Sequence, residues 1–474
     1  MQNRTTRRPA GNFKAHYLGR GNEPGSLILP DGTACSRDSR ETGLNNNVLI
    51  VGQAGTGKSS TVGIPNLLEA NASFVVSDPK GGLFRSANDL LTRMGYRVLR
   101  LDLTHPERSA KYNPLLYVNT SQEIRKLAHT IVMEGYPGHR ESRDPYWENS
   151  AESLLCALIA FLKERRQYPN FDYDRYRMHL ENDDIQKAEP YPEPTLTEVS
   201  DLLSSMEVGE DPDDRKNTPV FRDFIQLDRA AKRQGKKSWA VKMFAQFRAL
   251  SEKTLSCVVS TLASLLTPFE GDELTELFSG NDFDFRRIGQ EKTALFVIVS
   301  DTDRSNDLLA NVFYTQVMNE LCDFADNDCP EGRLPVPVVF MLDDFATNAH
   351  IQGFENMISN IRARNISAML MIQSLHQLRS GYGEDAETIM NNCDTTVFMG
   401  ANSLGDAEHF CKRANKPVHT MLDMPRYSSW VFRHGTPAQF MKNRDPEEYL
   451  RQVSLLLKTE QMWMRYNEIR RKGA

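Results

Sequence analysis

Val48-Leu49-Ile50-Val51-Gly52-Gln53-Ala54-Gly55-Thr56-Gly57-Lys58-Ser59-Ser60 runs from four apolar residues straight into a glycine-rich loop that closes on Lys-Ser. Gly-x4-Gly-Lys-Ser directly after a strand is the spacing of a phosphate-binding loop. Its glycines let successive backbone N–H groups curl round a β-phosphate, while Lys58 reaches the β/γ oxygens and Ser59 offers its hydroxyl to Mg²⁺. Gly52, Gln53, Ala54, Gly55, Thr56, Gly57, Lys58, Ser59 and Ser60 are therefore the expected nucleotide-contacting residues, with ATP and Mg²⁺ as cofactors. The competing reading is a structural glycine turn ahead of a helix.

Other short apolar runs also end in polar residues, as buried parallel strands do when chemistry sits at their C-terminal ends. They lie at Val48–Val51, Phe74–Ser77, Arg97–Leu101, Ala294–Ser300, Val338–Leu342, Ala368–Ile372, Thr396–Met399 and Trp430–Phe432. Helical patterns separate most of them, which predicts an α/β fold: a RecA-like P-loop NTPase core with a mainly parallel sheet. Between Leu101 and Ala294 the rhythm breaks into helical periodicity, at Ala151–Ala160 and Val258–Leu266 for example. The expected division is an N-terminal extension (1–43), a first core segment (44–118), an inserted all-α domain (119–285), a second core segment (286–440) and a C-terminal helical tail (441–474). Glu207 to Asp214 is acidic and turn-rich and reads as a loop.

Composition fits a soluble enzyme. The chain has 474 residues, 40% of them hydrophobic, enough for two or three domains with ample cores. A formal net charge of −6 rules out a generally basic sheath, so any contact with nucleic acid must be local. The local candidates are Lys232-Arg233-Gln234-Gly235-Lys236-Lys237 and Arg465 to Lys472, runs that equally describe solvated helix faces. Seven cysteines carry no Cys-x-x-Cys pair and no zinc-like histidine spacing, and read as reduced thiols. No apolar run reaches the length that spans a bilayer, and Met1 to Arg8 lacks the apolar core of a signal peptide. The expectation is a protein that is not itself integral to a membrane.

A phosphate-binding loop needs a carboxylate strand to hold Mg²⁺ through water and to align the attacking water. Val338-Val339-Phe340-Met341-Leu342-Asp343-Asp344 supplies it, with Asp343 on the Mg²⁺ shell and Asp344 orienting or deprotonating the hydrolytic water. Gln373, at the tip of Ala368–Ile372, is placed to touch the γ-phosphate or its water. Arg362 and Arg364 leave a helix just upstream, and Arg364 is the candidate to act on a neighbouring subunit's phosphates. Ser77-Asp78-Pro79-Lys80-Gly81-Gly82 and Ser300-Asp301-Thr302-Asp303-Arg304 put further charge on the same rim, which a P-loop alone does not predict.

At these residues the chain resembles the type IV secretion coupling proteins of the TraG/TraD conjugative DNA-transfer family, hexameric ATPases related to FtsK and RecA. The matching stretches are Asn45-Asn46-Asn47-Val48, Asp78-Pro79-Lys80-Gly81, Tyr112-Asn113-Pro114-Leu115, Asp144-Pro145-Tyr146-Trp147-Glu148, Asp301-Thr302-Asp303, Leu342-Asp343-Asp344-Phe345-Ala346 and Gln373-Ser374-Leu375. Within the insertion, Trp239-Ala240-Val241-Lys242 and Leu262–Phe269 resemble the family's all-α domain. Gly82 stands where the family usually has an acidic residue, and Asp344 where most members have glutamate.

The resemblance implies ATP-driven delivery of relaxase-bound single-stranded DNA to a type IV secretion channel. It further implies a homo-hexamer when assembled, and membrane-embedded secretion components as partners. Location would be cytoplasmic, peripheral at the inner face of the cell membrane through those partners. Two rivals stay open: a FtsK- or HerA-like double-stranded DNA motor, and a nucleotide-dependent, non-catalytic substrate adaptor.

Overall fold

The apolar runs become the middle of a sheet. In the computed structural model, residues 25–69, 71–135, 145–168, 191–206, 218–345, 347 and 350–472 are described. Eleven strands appear among them: β1 (Ser26–Ile28), β2 (Ala34–Ser36), β3 (Val48–Val51), β4 (Ser73–Ser77), β5 (Arg97–Asp102), β6 (Thr293–Ile298), β7 (Val338–Leu342), β8 (Ile366–Ile372), β9 (Thr395–Phe398), β10 (Ser428–Arg433) and β11 (Gln439–Lys442). Nine form one sheet in the order β11-β10-β9-β3-β8-β7-β4-β6-β5, and β1 pairs with β2 in a separate hairpin. From β9 to β5 every pairing is parallel, while β10 and β11 close one edge antiparallel. The mainly parallel sheet expected from the runs is thus present.

The chain forms two compact units. The first comprises the described residues within 1–104, 284–310 and 317–474, and the second those within 105–283 and 311–316. In the first unit, β3, β4, β6, β7 and β8 are buried along their whole length, which explains their unbroken apolar sequence. One face of the sheet is covered by the helices Ile64–Glu69 and Gly82–Arg93 and by the start of Pro446–Lys472, whose Tyr449, Val453 and Leu457 join the core around Ile50, Phe74 and Met371.

Strands β1, β2 and β11 escaped the sequence reading because three or four residues carry almost no periodicity. The turn Pro30-Asp31-Gly32 was their one local signal, and Leu29 N–H closes it on Thr33 O at 2.9 Å. Asn66 then locks the hairpin down, its side chain donating to Ile28 O (2.8 Å) and accepting from Ile28 N–H (2.9 Å). Strand β6 stops two residues short of Ser300, because the Ser300 hydroxyl accepts from the N–H groups of Thr302 and Asp303 and turns the chain.

The second unit is helical among its described residues. Its central helix, Pro145–Arg165, is buried without a break from Leu154 to Leu162, so it is apolar all round rather than amphipathic. Phe161, Phe224 and Phe244 interlock beside it, the last two stacked with centroids 3.9 Å apart. Glu164 accepts from the free N–H groups of Trp239 and Ala240, both at 3.0 Å, and so anchors the helix Trp239–Phe244. Tyr112 is buried, donates to Gln316 Oε1 at 2.5 Å and meets Phe313 edge-on. The Tyr112-Asn113-Pro114-Leu115 stretch is therefore a packing element of this unit. Glu207 to Asp214 and Asp144 lie outside the described residues, as do the side chains of 465–472.

Candidate nucleotide site

Topology assembles this site. Strand β8 lies between β3 and β7, so the phosphate-binding loop, Gln373 and the Asp343-Asp344 pair leave three neighbouring parallel strands at one rim. Adjacent strands lie about 4.8 Å apart, so the ends of β3 and β7 stand roughly 10 Å apart, with the end of β8 and Gln373 between them.

The loop has the backbone its glycines were chosen for. Gly55 and Gly57 adopt φ of +79° and +90°, in the left-handed region that favours glycine. At Gly52 a Cβ atom would stand 2.9 Å from Met399 Cβ and 2.7 Å from Thr56 Oγ1, so this position cannot carry a side chain without displacing its neighbours. Lys58 folds back over the loop, donating to Gly52 O at 2.7 Å and Gln53 O at 3.3 Å. Burial lowers its pKa, against which the carboxylates of Asp343 and Asp344 pull upward.

Ser59 Oγ donates to Asp343 Oδ2 at 2.5 Å. Burial raises the Asp343 pKa, and Asp344 beside it adds to the rise, while the Ser59 bond and Lys58 oppose it. Asp344 follows at φ +50°, a left-handed backbone in which aspartate is more at home than longer acids. Gln373 Nε2 donates to Asp344 Oδ1 at 3.2 Å, and Gln373 N–H donates to Gln377 Oε1 at 2.9 Å. Gln377 in turn donates to Thr347 Oγ1 at 3.4 Å, and Thr347 Oγ1 to Asp344 O at 2.7 Å, which closes a ring of hydrogen bonds around the acid. Gln377 and Thr347 went unnoticed in the sequence; the i, i+4 spacing of the two glutamines was the available signal.

The two unexplained rim motifs meet each other here. Lys80, itself at φ +69°, forms a 2.5 Å ion pair with Asp301. Arg304 binds Thr347 O at 2.6 Å and pairs with Asp307 at 2.7 Å, so it tethers the ring around Asp344. Asp78 accepts from Leu83 N–H (3.0 Å) and Phe84 N–H (2.7 Å) at the start of the helix Gly82–Arg93. Burial, more than the nearby Asp343 charge, lifts its pKa to about 6 despite those bonds.

The arginines stand apart. Arg364 holds Asp326 through two bonds, at 2.8 and 2.7 Å, and Arg362 donates to Ser39 O at 3.1 Å. Both precede β8, whose seven residues span about 20 Å to Gln373 at the other end. Neither can serve its own subunit's loop. In the basic run, Lys232 pairs with Asp228 and positions 232–237 are exposed.

Residues 16–416 match the protein family described as Type IV secretory system Conjugative DNA transfer. The chain is 23% identical over 382 residues to the conjugal transfer protein TraG of Escherichia coli, covering 77% of this chain and 54% of that protein. It is 24% identical over 360 residues to the protein VirD4 of Rhizobium radiobacter, covering 74% of this chain and 45% of that one. The chain thus spans about half the length of these curated relatives. Among solved structures it resembles the plasmid coupling protein TrwB in complex with a non-hydrolysable ATP analogue, with a TM-score of 0.59, 15% identity, and coverage of 90% of this chain and 91% of that one. That likeness confirms the RecA-like P-loop fold. Among the described residues no helix is long and apolar enough to cross a membrane.

Proposed function

This chain belongs to the type IV secretory system conjugative DNA transfer family, and from that membership we propose that it is the ATP-hydrolysing coupling protein that drives DNA toward a secretion channel. The observation that carries the reading is the convergence of Lys58, Ser59, Asp343, Asp344 and Gln373 at one rim. Lys58 exchanges the carbonyls of Gly52 and Gln53 for the β/γ-phosphate oxygens when ATP binds. Ser59 Oγ and Asp343 Oδ2 form an adjacent pair of hard oxygens that fits Mg²⁺, Ser59 directly and Asp343 through water. Mg²⁺, when bound, supplies charge neutralisation on the phosphates.

Asp344 orients and deprotonates the attacking water, which displaces the γ-phosphoryl in line, and Gln373 holds Asp344 in register for that task. Arg364, from the neighbouring subunit of a homo-hexamer, stabilises the charge that develops, which requires it to release Asp326. The substrate is single-stranded DNA carried with a relaxase. Contact with the inner face of the membrane is made through embedded secretion components. TrwB, solved with ADP and Mg²⁺, supports the choice of cofactors.

The test is ATP turnover with and without DNA. Stimulation by single strands is expected. Stimulation by duplex alone would make the protein a double-strand motor, and absence of turnover with intact nucleotide binding would make it an adaptor. For location, cell fractions with and without the transfer genes are compared, with membrane association expected only in their presence.

A further inference from the structure

Beside β3, β9 and β10 lies a cavity of about 400 Å³, within the range that holds a small ligand, whose lining includes no residue of the phosphate loop. It opens on the face carrying Leu49, Thr396 and Phe432, whereas the alternate residues Ile50, Val397 and Val431 point into the closed core. The helices Asp385–Asn391 and Leu404–Ala414 supply much of the rest of its wall, and Leu375, Cys393, Asp394 and the turn after β10 complete it.

The wall carries two acids and two arginines, and they are not paired with one another. Its two acids are already engaged: Glu387 accepts from Arg379 at 2.8 Å and Asp394 from Asn45 N–H at 2.6 Å. Its two arginines are not. Arg413 rests over the Phe432 ring at 4.7 Å and gives one long bond, 3.3 Å, to Thr396 Oγ1. Burial lowers its pKa and no carboxylate restores it. Arg433 makes no side-chain hydrogen bond or ion pair among the described residues, and its Nε is fully buried without an acceptor. His409 and His434 add ring nitrogens to the same wall. Among the effects that lower the His409 pKa, burial comes first and the Arg413 charge second.

Arg413 is exposed and Arg433 half-buried, so both keep outer donors open, and only the Arg433 Nε is taken out of water without an acceptor. Here two guanidiniums with open donors face a cavity, and a forked guanidinium matches the oxygens of a phosphate in bidentate fashion. We propose that this cavity is a second ligand site, built for a phosphate-bearing small molecule held by Arg413 and Arg433. It is separate in place and chemistry from the phosphate loop, which binds through backbone N–H groups and one lysine.

Inorganic pyrophosphate is the probe, titrated calorimetrically into the full chain carrying Lys58→Ala, so that the loop contributes little. A saturable isotherm is expected. Adding Arg413→Gln and Arg433→Gln should weaken it tenfold or more, with the thermal midpoint little changed. Should that variant fold poorly, Ala438→Trp, which adds bulk to the cavity wall and leaves both arginines in place, must produce the same loss. Unchanged affinity in the substituted proteins, no saturable binding at all, or binding of citrate or of an Asp/Glu-rich peptide but not pyrophosphate would each overturn the proposal. Binding of an ATP analogue is read separately in the protein carrying Lys58→Ala, Arg413→Gln and Arg433→Gln together, where its persistence would count against the loop assignment alone.

Discussion

Gln373 Nε2 reaches Asp344 Oδ1 at 3.2 Å across two neighbouring parallel strands, although 29 residues separate the two in sequence. The amide thereby fixes the carboxylate that faces the phosphate loop, and the ring through Gln377 and Thr347 prevents that acid from turning freely. A loss of the amide should therefore be felt as a loss of acid positioning.

On this basis Asp344→Asn slows hydrolysis by roughly 10²–10⁴-fold while ATP-analogue affinity stays near wild type, because an amide can align water but cannot take its proton. Gln373→Ala should lower turnover less, with affinity again preserved. Single-turnover kinetics beside equilibrium binding make the separation. Parallel loss of affinity in Asp344→Asn would assign that residue to the metal shell.

Lys58→Ala is expected to abolish measurable hydrolysis with the fold intact, since it removes the cation that the loop curls around. Turnover at the wild-type rate would place the chemistry elsewhere.

Arg364 is bound to Asp326 within its own subunit. If it serves the next subunit's phosphates, mixing Lys58→Ala protein with Arg364→Ala protein restores part of the ATPase activity at the mixed interfaces. Asp326→Asn, which frees the guanidinium, should leave turnover at or above the wild-type level. No recovery between subunits shown to co-assemble rejects the role.

Asp78 gives a pH signature. Its pKa in the fold, about 6, lies above the ordinary carboxylate value, so ionisation is penalised in the folded state. The protonated side chain costs nothing extra below about pH 4, and the penalty grows through pH 4–6 and is complete above it. A rise of about two pH units corresponds to roughly 3 kcal/mol. Urea unfolding without nucleotide should show wild type losing stability across this window relative to Asp78→Asn. Parallel profiles for the two proteins would mean that Asp78 titrates normally.

Phe244 is stacked on Phe224 in the helical unit, and both are fully buried. Phe244→Ala should cost about 3–5 kcal/mol by leaving an aromatic-sized void. Thermal unfolding is the check; a shift of under two degrees would show that the void is filled by collapse.

Sequence alone determined whatever is written in consecutive residues. The run from Val48 to Ser60 carries strand, loop glycines, lysine and serine in one stretch, because a phosphate is held by successive backbone N–H groups of a single turn. β7 matched the sequence reading to the residue, since a buried parallel strand must be apolar along its whole length. Tertiary structure alone decided which strand lies beside which. That order sets Gln373 between loop and acids, joins Lys80 to Asp301 across more than two hundred residues, and fastens Arg364 to Asp326 at the far end of β8. It also left Arg413 and Arg433 facing one cavity with no ion pair of their own among the described residues, which their separate sequence neighbourhoods do not reveal. The reason is physical: strand pairing is made by backbone hydrogen bonds common to every residue, so the order follows from how the helices and buried faces pack, and no local motif encodes it.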